Sequence, residues 1–229
     1  MPDLPEISAI ITSYNDELNI QDTVNEVIEE LSALKLTNFE ILIIDDYSKD
    51  NSLSRIQELK DKRIRWFQNP KNLGQHQSIL NGFMLSKGKS AVFLASDGQD
   101  NPKALKEMAA KWRAGADIVW ALRKERNEPL IKKIPALVFY YILKKSKSNL
   151  PKIVDPAKAD FALIDRRIIN SISNSKKQIV TVHGWLLNSS FSQEQVLYKR
   201  RPRVKGRSQW SGIKKLLLAL RIFREKMSG

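Results

Sequence analysis

The chain predicts an α/β fold, a mostly parallel sheet with helices on both faces, and three observations carry that expectation. Short apolar runs alternate with longer stretches of helical periodicity from residue 7 to residue 122. Runs such as 7–11 and 39–44 are nearly continuously apolar, as strands covered on both faces are. Finally, 229 residues with 42% hydrophobic content suit one large domain, or one domain with an appendage.

The elements follow in order. Residues 7–11 read as a buried strand, and Thr12-Ser13-Tyr14-Asn15-Asp16 forms a polar turn after it. Ile20, Val24, Val27, Ile28, Leu31 and Leu34 recur at spacings of three and four, the mark of an amphipathic helix. A second strand over 39–44 runs into Asp45 and Asp46. Asp50 can cap a helix reaching about residue 62, since its carboxylate can accept from the orphan N–H groups of a first turn. Residues 64–67 make a third short strand, and a helix over 75–87 meets Gly88 as its C-terminal stop. A strand at 91–94, a helix at 102–114 opened by Pro102 and a strand at 118–122 complete the regular part. Beyond residue 123 the pattern loosens. It offers a basic, apolar helical segment at 130–147, a strand at 161–164, helices at 166–173 and 182–190, a strand at 195–199 and a closing helix at 210–224. There is no internal repeat.

Composition narrows the function. The chain has no cysteine, which excludes disulfides and thiolate chemistry and fits a reducing compartment. The start, Met1-Pro2-Asp3-Leu4-Pro5-Glu6, lacks the basic-then-apolar form of a secretory signal. The longest apolar run, 134–143, contains Pro135 and falls well short of the roughly 20 residues a membrane span needs. Net charge is +14, unevenly spread: residues 1–100 carry 10 Lys and Arg against 16 Asp and Glu, and residues 101–229 carry 29 against 9. A cationic second half points to an anionic partner there, whether lipid headgroups, phosphates or nucleic acid. Nucleic acid is the least favoured, because the excess lies outside any recognisable RNA- or DNA-binding motif.

The most informative stretch is Ala95-Ser96-Asp97-Gly98-Gln99-Asp100-Asn101-Pro102, directly after the apolar run 91–94. Open α/β sheets place ligands at the carboxyl edge of their strands, and oxygen ligands suit a hard divalent cation. Read alone, the same acids could simply cap the helix that begins at Pro102. Two further strands end in comparable residues, the first in Thr12 and Tyr14, the second in Asp45 and Asp46. An aromatic ring, a carboxylate for base or ribose and a carboxylate for metal and phosphate are the parts of a nucleotide site. No glycine-rich phosphate loop is present, so a bound diphosphate would be neutralised by a metal instead.

Taken together, Tyr14-Asn15-Asp16, Asp45-Asp46-Tyr47-Ser48-Lys49-Asp50, Asn69 with Asn72-Leu73-Gly74, and Asp97-Gly98-Gln99-Asp100-Asn101-Pro102 resemble inverting GT-A glycosyltransferases. The branch most resembled transfers sugars to dolichyl and polyprenyl phosphates. Val119-Trp120-Ala121-Leu122-Arg123-Lys124-Glu125-Arg126 resembles its Val-x-Gly-x-Arg-x-x-Arg, Asp160-Phe161 its Asp-Phe-Arg strand, and residues 200–208 its Arg-x-x-Arg-x-x-Gly-x-Ser. The resemblance runs from Ile7 to about Leu220. It implies a GT-A domain over 1–208, with a nucleotide-sugar half at 1–122 and an acceptor half at 123–208, followed by a C-terminal amphipathic helix at 209–229. It further implies a nucleotide-diphosphate-sugar donor, with Thr12, Tyr14 and Asp16 lining the nucleotide pocket and Asp46 holding base or ribose beside Asp45. Asp97 would face Mg2+ or Mn2+ and the diphosphate, with Gln99 helping to ligate or orient the cation. Transfer would be a direct displacement with inversion.

Departures from the pattern sharpen the question. Ala95 stands where the family has the first acid of Asp-x-Asp, which should weaken metal binding or shift coordination toward phosphate oxygens and water. It also leaves open a homologue that binds donor without turnover. Asp16 replaces the usual Glu and Tyr47 a Gly, both beside the expected base pocket.

The acceptor decides what catalysis requires. A lipid phosphate is already anionic and needs cationic positioning, for which the chain offers Arg123, Arg126, Arg200 and Arg203, with Arg123 and Arg203 the strongest matches. A glycan hydroxyl would need a general base, for which Asp160 is the candidate. His76 and His183 show no ligand spacing and are expected to be structural or surface residues. Residues 130–147 and 210–223 carry apolar positions flanked by Lys and Arg, as helices lying in the headgroup plane do, although packing on the domain or in a homo-oligomer would use the same pattern. The expectation is a cytoplasmic enzyme, peripheral to the inner face of the cytoplasmic membrane.

Overall fold

A computed structural model describes residues 4–36, 38–124, 154–156, 158–175, 179 and 181–202. Seven strands form one sheet in the order β3-β2-β1-β4-β6-β5-β7. They are β1 (Ile7–Ser13), β2 (Phe39–Asp45), β3 (Ile64–Gln68), β4 (Ser90–Ala95), β5 (Ile118–Arg123), β6 (Ala159–Asp165) and β7 (Gln193–Tyr198). All run parallel except β6, which lies antiparallel between β4 and β5. The central strands earn that place by composition: every residue of β1 and β2 is buried, and the runs Ile-Ser-Ala-Ile-Ile and Phe-Glu-Ile-Leu-Ile-Ile offer bulk to both faces.

The helices are α1 (Ile20–Ser32), α2 (Ser52–Gln57), α3 (Gln75–Leu85), α4 (Leu105–Arg113), α5 (Arg166–Ser173) and α6 (Val182–Leu187). α1 packs with α2 and α4, whereas α3 packs with α5 and α6, giving two helical layers around the sheet. The crossovers β1-α1-β2 and β2-α2-β3 step one way along the sheet, and β3-α3-β4 returns past β1. Right-handed connections put the returning helix on the opposite face. The core runs from Ile10, Ile43 and Phe93 to Trp120, Phe161 and Leu163, all at most 2% exposed.

Several local expectations are revised. The helix after Asp50 ends at Gln57 rather than near residue 62, because Asp61 turns the chain instead, its carboxylate accepting from Arg63 N at 2.8 Å. Asp50 itself stays at the helix entrance, accepting from Ser52 N at 3.0 Å and from Glu17 N at 3.2 Å. Gly88 is no left-handed helix stop, since α3 ends at Leu85, the next residue, Ser86, is extended, and Gly88 itself has no positive φ. What demands glycine is space: a Cβ on Gly88 would lie 2.7 Å from Ser8 N, Ser8 Oγ and Ser90 O. The helix expected at 102–114 opens with a 3-10 turn at Pro102–Ala104 capped by Asn101, and α6 stops at Leu187, short of 190. The segments 130–147 and 209–229, with Arg126 and Arg203, lie outside the described residues.

Candidate active site

β1 pairs with β2 on one side and β4 on the other, so the strand order reverses at β1, where open sheets of this kind form their ligand crevice. Ser13 lies level with Asp45, and Thr12 with Ala95, so the ends of β2 and β4 reach the same rim on either side of β1. β6 runs the other way, so its first residues, Ala159 and Asp160, arrive at that rim too. Arg123 closes β5 and Tyr198 closes β7 at the same level. Topology therefore gathers Thr12, Tyr14, Asp16, Asp45, Asp46, Asp97, Gln99, Arg123 and Asp160 along one edge.

Their side chains play different parts. Asp45 is fully buried and accepts from Ser48 N (3.1 Å), Ser48 Oγ and Gln68 Nε2 (3.0 Å). Asp46 accepts from Asn69 Nδ2, Leu73 N and Gly74 N, each at 2.8 Å, and so fastens the loop entering α3 to the end of β2. Both carboxylates shape the wall of the crevice. Thr12 Oγ1 donates to Leu94 O at 3.4 Å within the sheet, and Asp16 Oδ2 accepts from Ser96 Oγ at 2.7 Å, tying the β1 turn to the end of β4. Asn15 accepts from Lys49 N at 2.8 Å, and Asn15 N donates to Ser48 Oγ at 3.0 Å. These bonds stitch the β1 and β2 turns together. Tyr47 sits there with φ of +65°, a left-handed conformation that costs a side chain with a Cβ about 1–2 kcal/mol.

Asp97 is partly exposed, and its Oδ1 accepts from Gln99 N at 3.1 Å; Oδ2 carries no hydrogen bond among the described residues. Gln99 Oε1 is taken by Arg200 Nη2 at 3.0 Å. No group of three or more His, Cys, Asp or Glu side chains gathers around a metal position among the described residues. This donor set fits a hard cation that draws one carboxylate oxygen from Asp97 and most of its shell from diphosphate and water, but not a cage built by the protein alone.

Asp160 lies under a cluster of donors. Arg123 Nη2 meets Oδ1 at 2.7 Å and Arg200 Nη1 meets it at 3.4 Å, while the Tyr198 hydroxyl donates to Oδ2 at 2.6 Å. Burial works against the charge on Arg200, but Asp160 and Asp100 outweigh it and raise its pKa above the ordinary value. Burial, then Asp100 and Asp160, push the Tyr198 phenol up, so it stays a donor. Asp100 accepts from Ala95 N at 3.0 Å, lies 3.5 Å from the Tyr198 hydroxyl, and is pushed up to about 7, chiefly by burial. Arg201 forks onto Glu26 of α1 at 2.6 and 2.7 Å, and its N–H donates to Gln99 O at 3.1 Å, strapping the Asp97–Asn101 loop down. Tyr198, Arg201 and Glu26 escape sequence reasoning: Tyr198 reads as an ordinary strand residue, and nothing in the spacing of Glu26 and Arg201 pairs them. His76 and His183 prove neighbours, ring centroids 5.7 Å apart, with His183 Nε2 2.9 Å from Asp160 O.

A mostly parallel sheet whose order reverses at β1, with strand-end carboxylates and arginines gathered along one rim, is the architecture of a GT-A domain. The chain belongs to glycosyl transferase family 2, whose family model matches residues 8–173. It is 30% identical over 210 residues to an uncharacterised glycosyltransferase of Synechocystis, and 32% identical over 215 residues to one of Bacillus subtilis. These alignments take in 90% and 93% of this chain but only 64% and 65% of the relatives, so the chain spans somewhat less than two thirds of their length. A bactoprenol glucosyl transferase of Shigella phage SfV is 29% identical over 218 residues, 94% of this chain and 70% of the relative. Among solved structures, glucosyl-3-phosphoglycerate synthase of Mycobacterium tuberculosis, in complex with Mn2+, UDP-glucose and phosphoglyceric acid, superposes with a TM-score of 0.70 at 16% identity. That superposition covers 98% of this chain and 79% of the other, a likeness of GT-A fold.

Proposed function

We propose that the chain transfers a sugar, with inversion, from a nucleoside-diphosphate sugar to a phosphate-bearing lipid acceptor at a membrane surface, a polyprenyl phosphate being the natural candidate. The observation that carries this reading is the state of Asp160. A general base needs a free lone pair within reach of the acceptor proton. Both Asp160 oxygens are engaged instead, Oδ1 by two arginines and Oδ2 by a hydroxyl. Held so, the carboxylate fixes Arg123 and Arg200 rather than removing a proton. Two guanidinium groups at the rim suit an anionic oxygen nucleophile, because arginine matches phosphate geometry bidentately. The acceptor phosphate oxygen would attack the anomeric carbon as the carbon–oxygen bond to the diphosphate breaks, and the diphosphate would leave with the electron pair. Asp97 would hold a divalent cation against the diphosphate, and that cation, when bound, supplies charge neutralisation to the leaving group. The name of the phage bactoprenol relative supports a lipid-phosphate acceptor, and the Mn2+ and UDP-glucose named for the solved neighbour support the donor and cation. Among the described residues no helix is long and apolar enough to cross a membrane, which is compatible with attachment at its surface.

The test offers a labelled nucleotide sugar with either polyprenyl phosphate or the corresponding polyprenol. Sugar should pass to the phosphate and not to the alcohol. Transfer to the alcohol at comparable rate, or to neither, would sink the reading.

A further inference from the structure

Tyr47 stands out among the backbone conformations of the described residues. Three non-glycine residues have positive φ: Asn15, Lys35 and Tyr47. Asparagine tolerates this region, and Lys35 closes the turn after α1, where chains often go left-handed. Tyr47 has neither excuse. It is bulky and 38% exposed as a residue, and burial therefore does little to offset its strain. The neighbours over-determine the conformation. Asp45 and Asp46 before it are buried and bonded to Ser48, Gln68, Asn69 and the loop entering α3, and Ser48 and Lys49 after it are bonded to Asn15. Strain that a rigid frame maintains clusters at functional sites.

The ring is also dressed for a ligand. Lys49 Nζ stands 3.6 Å from its centroid, and Lys49 lines a cavity of about 380 Å³ with Asn15, Asp16 and Asp50. The cavity lies between the turn after β1, residues 15–19, and Lys49 and Asp50 after β2; Tyr47 follows β2 beside Lys49, and Asp97 follows β4, with β1 between them. Adjacent strands are about 4.8 Å apart, so the two positions are separated by about 10 Å, the reach of a nucleoside diphosphate.

Resting on the donor proposed above, we propose that Tyr47, backed by Lys49, is a base-binding residue whose ring stacks on the nucleobase of the donor. The diphosphate would lie toward Asp97 and the base toward Tyr47. The exposed ring face supplies stacking open to any base, and the ammonium on the ring fixes its plane.

The experiment measures binding of UDP, GDP, CDP and dTDP, each with manganese, and of inorganic pyrophosphate with manganese, to wild type, Tyr47→Gly and Tyr47→Phe, alongside melting temperatures. Wild type should bind at least one nucleotide. Tyr47→Gly should weaken that nucleotide roughly tenfold, the usual scale of one base–aromatic stack, leave pyrophosphate unchanged, and melt no lower than wild type because the strain is relieved. Tyr47→Phe should keep wild-type affinity. Unchanged nucleotide affinity in Tyr47→Gly, or equal losses for nucleotide and pyrophosphate, would overturn the stacking role while leaving the donor assignment standing. Failure of wild type to bind any of these nucleotides, or ADP with manganese, would overturn both.

Discussion

At the scale of single residues the crevice divides its acids by partner. Asp45, Asp46 and Asp160 each accept on both oxygens, whereas Asp97 takes a single hydrogen bond, on Oδ1, among the described residues. Ala95 offers no second acid, and on the function proposed above Asp97 is the carboxylate that would hold the cation. Asp97→Asn should therefore reduce sugar transfer below detection at ordinary manganese concentrations, with an unchanged circular dichroism spectrum and denaturation midpoint. Full activity in that variant would remove the cation from Asp97. The residues that read clearly in the sequence are those at strand ends, because a strand's end places its polar neighbour at the rim whatever the tertiary detail. The Tyr198–Asp160–Arg200 contacts were not legible. They join residues about 40 positions apart through a strand inserted backwards, and no periodicity encodes that.

At the scale of elements, α3 packs closely against β1. A Cβ on Gly82 of α3 would fall 2.4 Å from Ile10 Cγ2, and Ile10 is wholly buried in β1. Alanine has the higher helix propensity, by about 1 kcal/mol, but the overlap sets a branched methyl against a closed core, where overpacking costs about 1–3 kcal/mol. Packing should win. Gly82→Ala is expected to lower the urea midpoint, and to weaken nucleotide binding as well, since α3 carries the loop that Asp46 anchors. A variant as stable as wild type would mean that Ile10 can move aside. The parallel strands and their helices were readable because unbroken apolar runs and three-four spacings are local properties. The direction and slot of β6 were not, because pairing between β4 and β5 depends on how a distant segment returns. The end of α2 was misjudged for a related reason: Asp61 competes for the backbone through its own turn with Arg63, and helix periodicity carries no trace of that competition.

At the scale of the whole molecule, two buried groups set opposing slopes of stability against pH. Burial first, then the neighbouring His183, holds His76 down to about 3, and burial lowers His183 too, against the pull of Asp160. The unfolded chain binds protons on these rings near the ordinary histidine value of about 6.5, whereas the native rings refuse them. Stability contributed by the neutral His76 ring is thus present above about 6.5 and is lost as pH falls from there toward 3, and His183 acts in the same sense. Asp100 acts in the other sense. Its native pKa of about 7 lies above the unfolded value of 3.8, so the native state keeps a proton that the unfolded chain releases, and stability falls as pH rises from 3.8 to 7. Across the shared interval the two partly cancel, and below 3.8 the Asp100 slope is gone while the histidine slope continues. In metal-free protein, Asp100→Asn should raise stability at pH 7 relative to pH 5, since an amide can still accept from Ala95 N without a charge to desolvate. His76→Phe should retain more of its pH 7 stability at pH 4 than wild type does. Urea midpoints at pH 4, 5 and 7 decide it: parallel profiles for all three proteins would mean that neither group changes its protonation on unfolding.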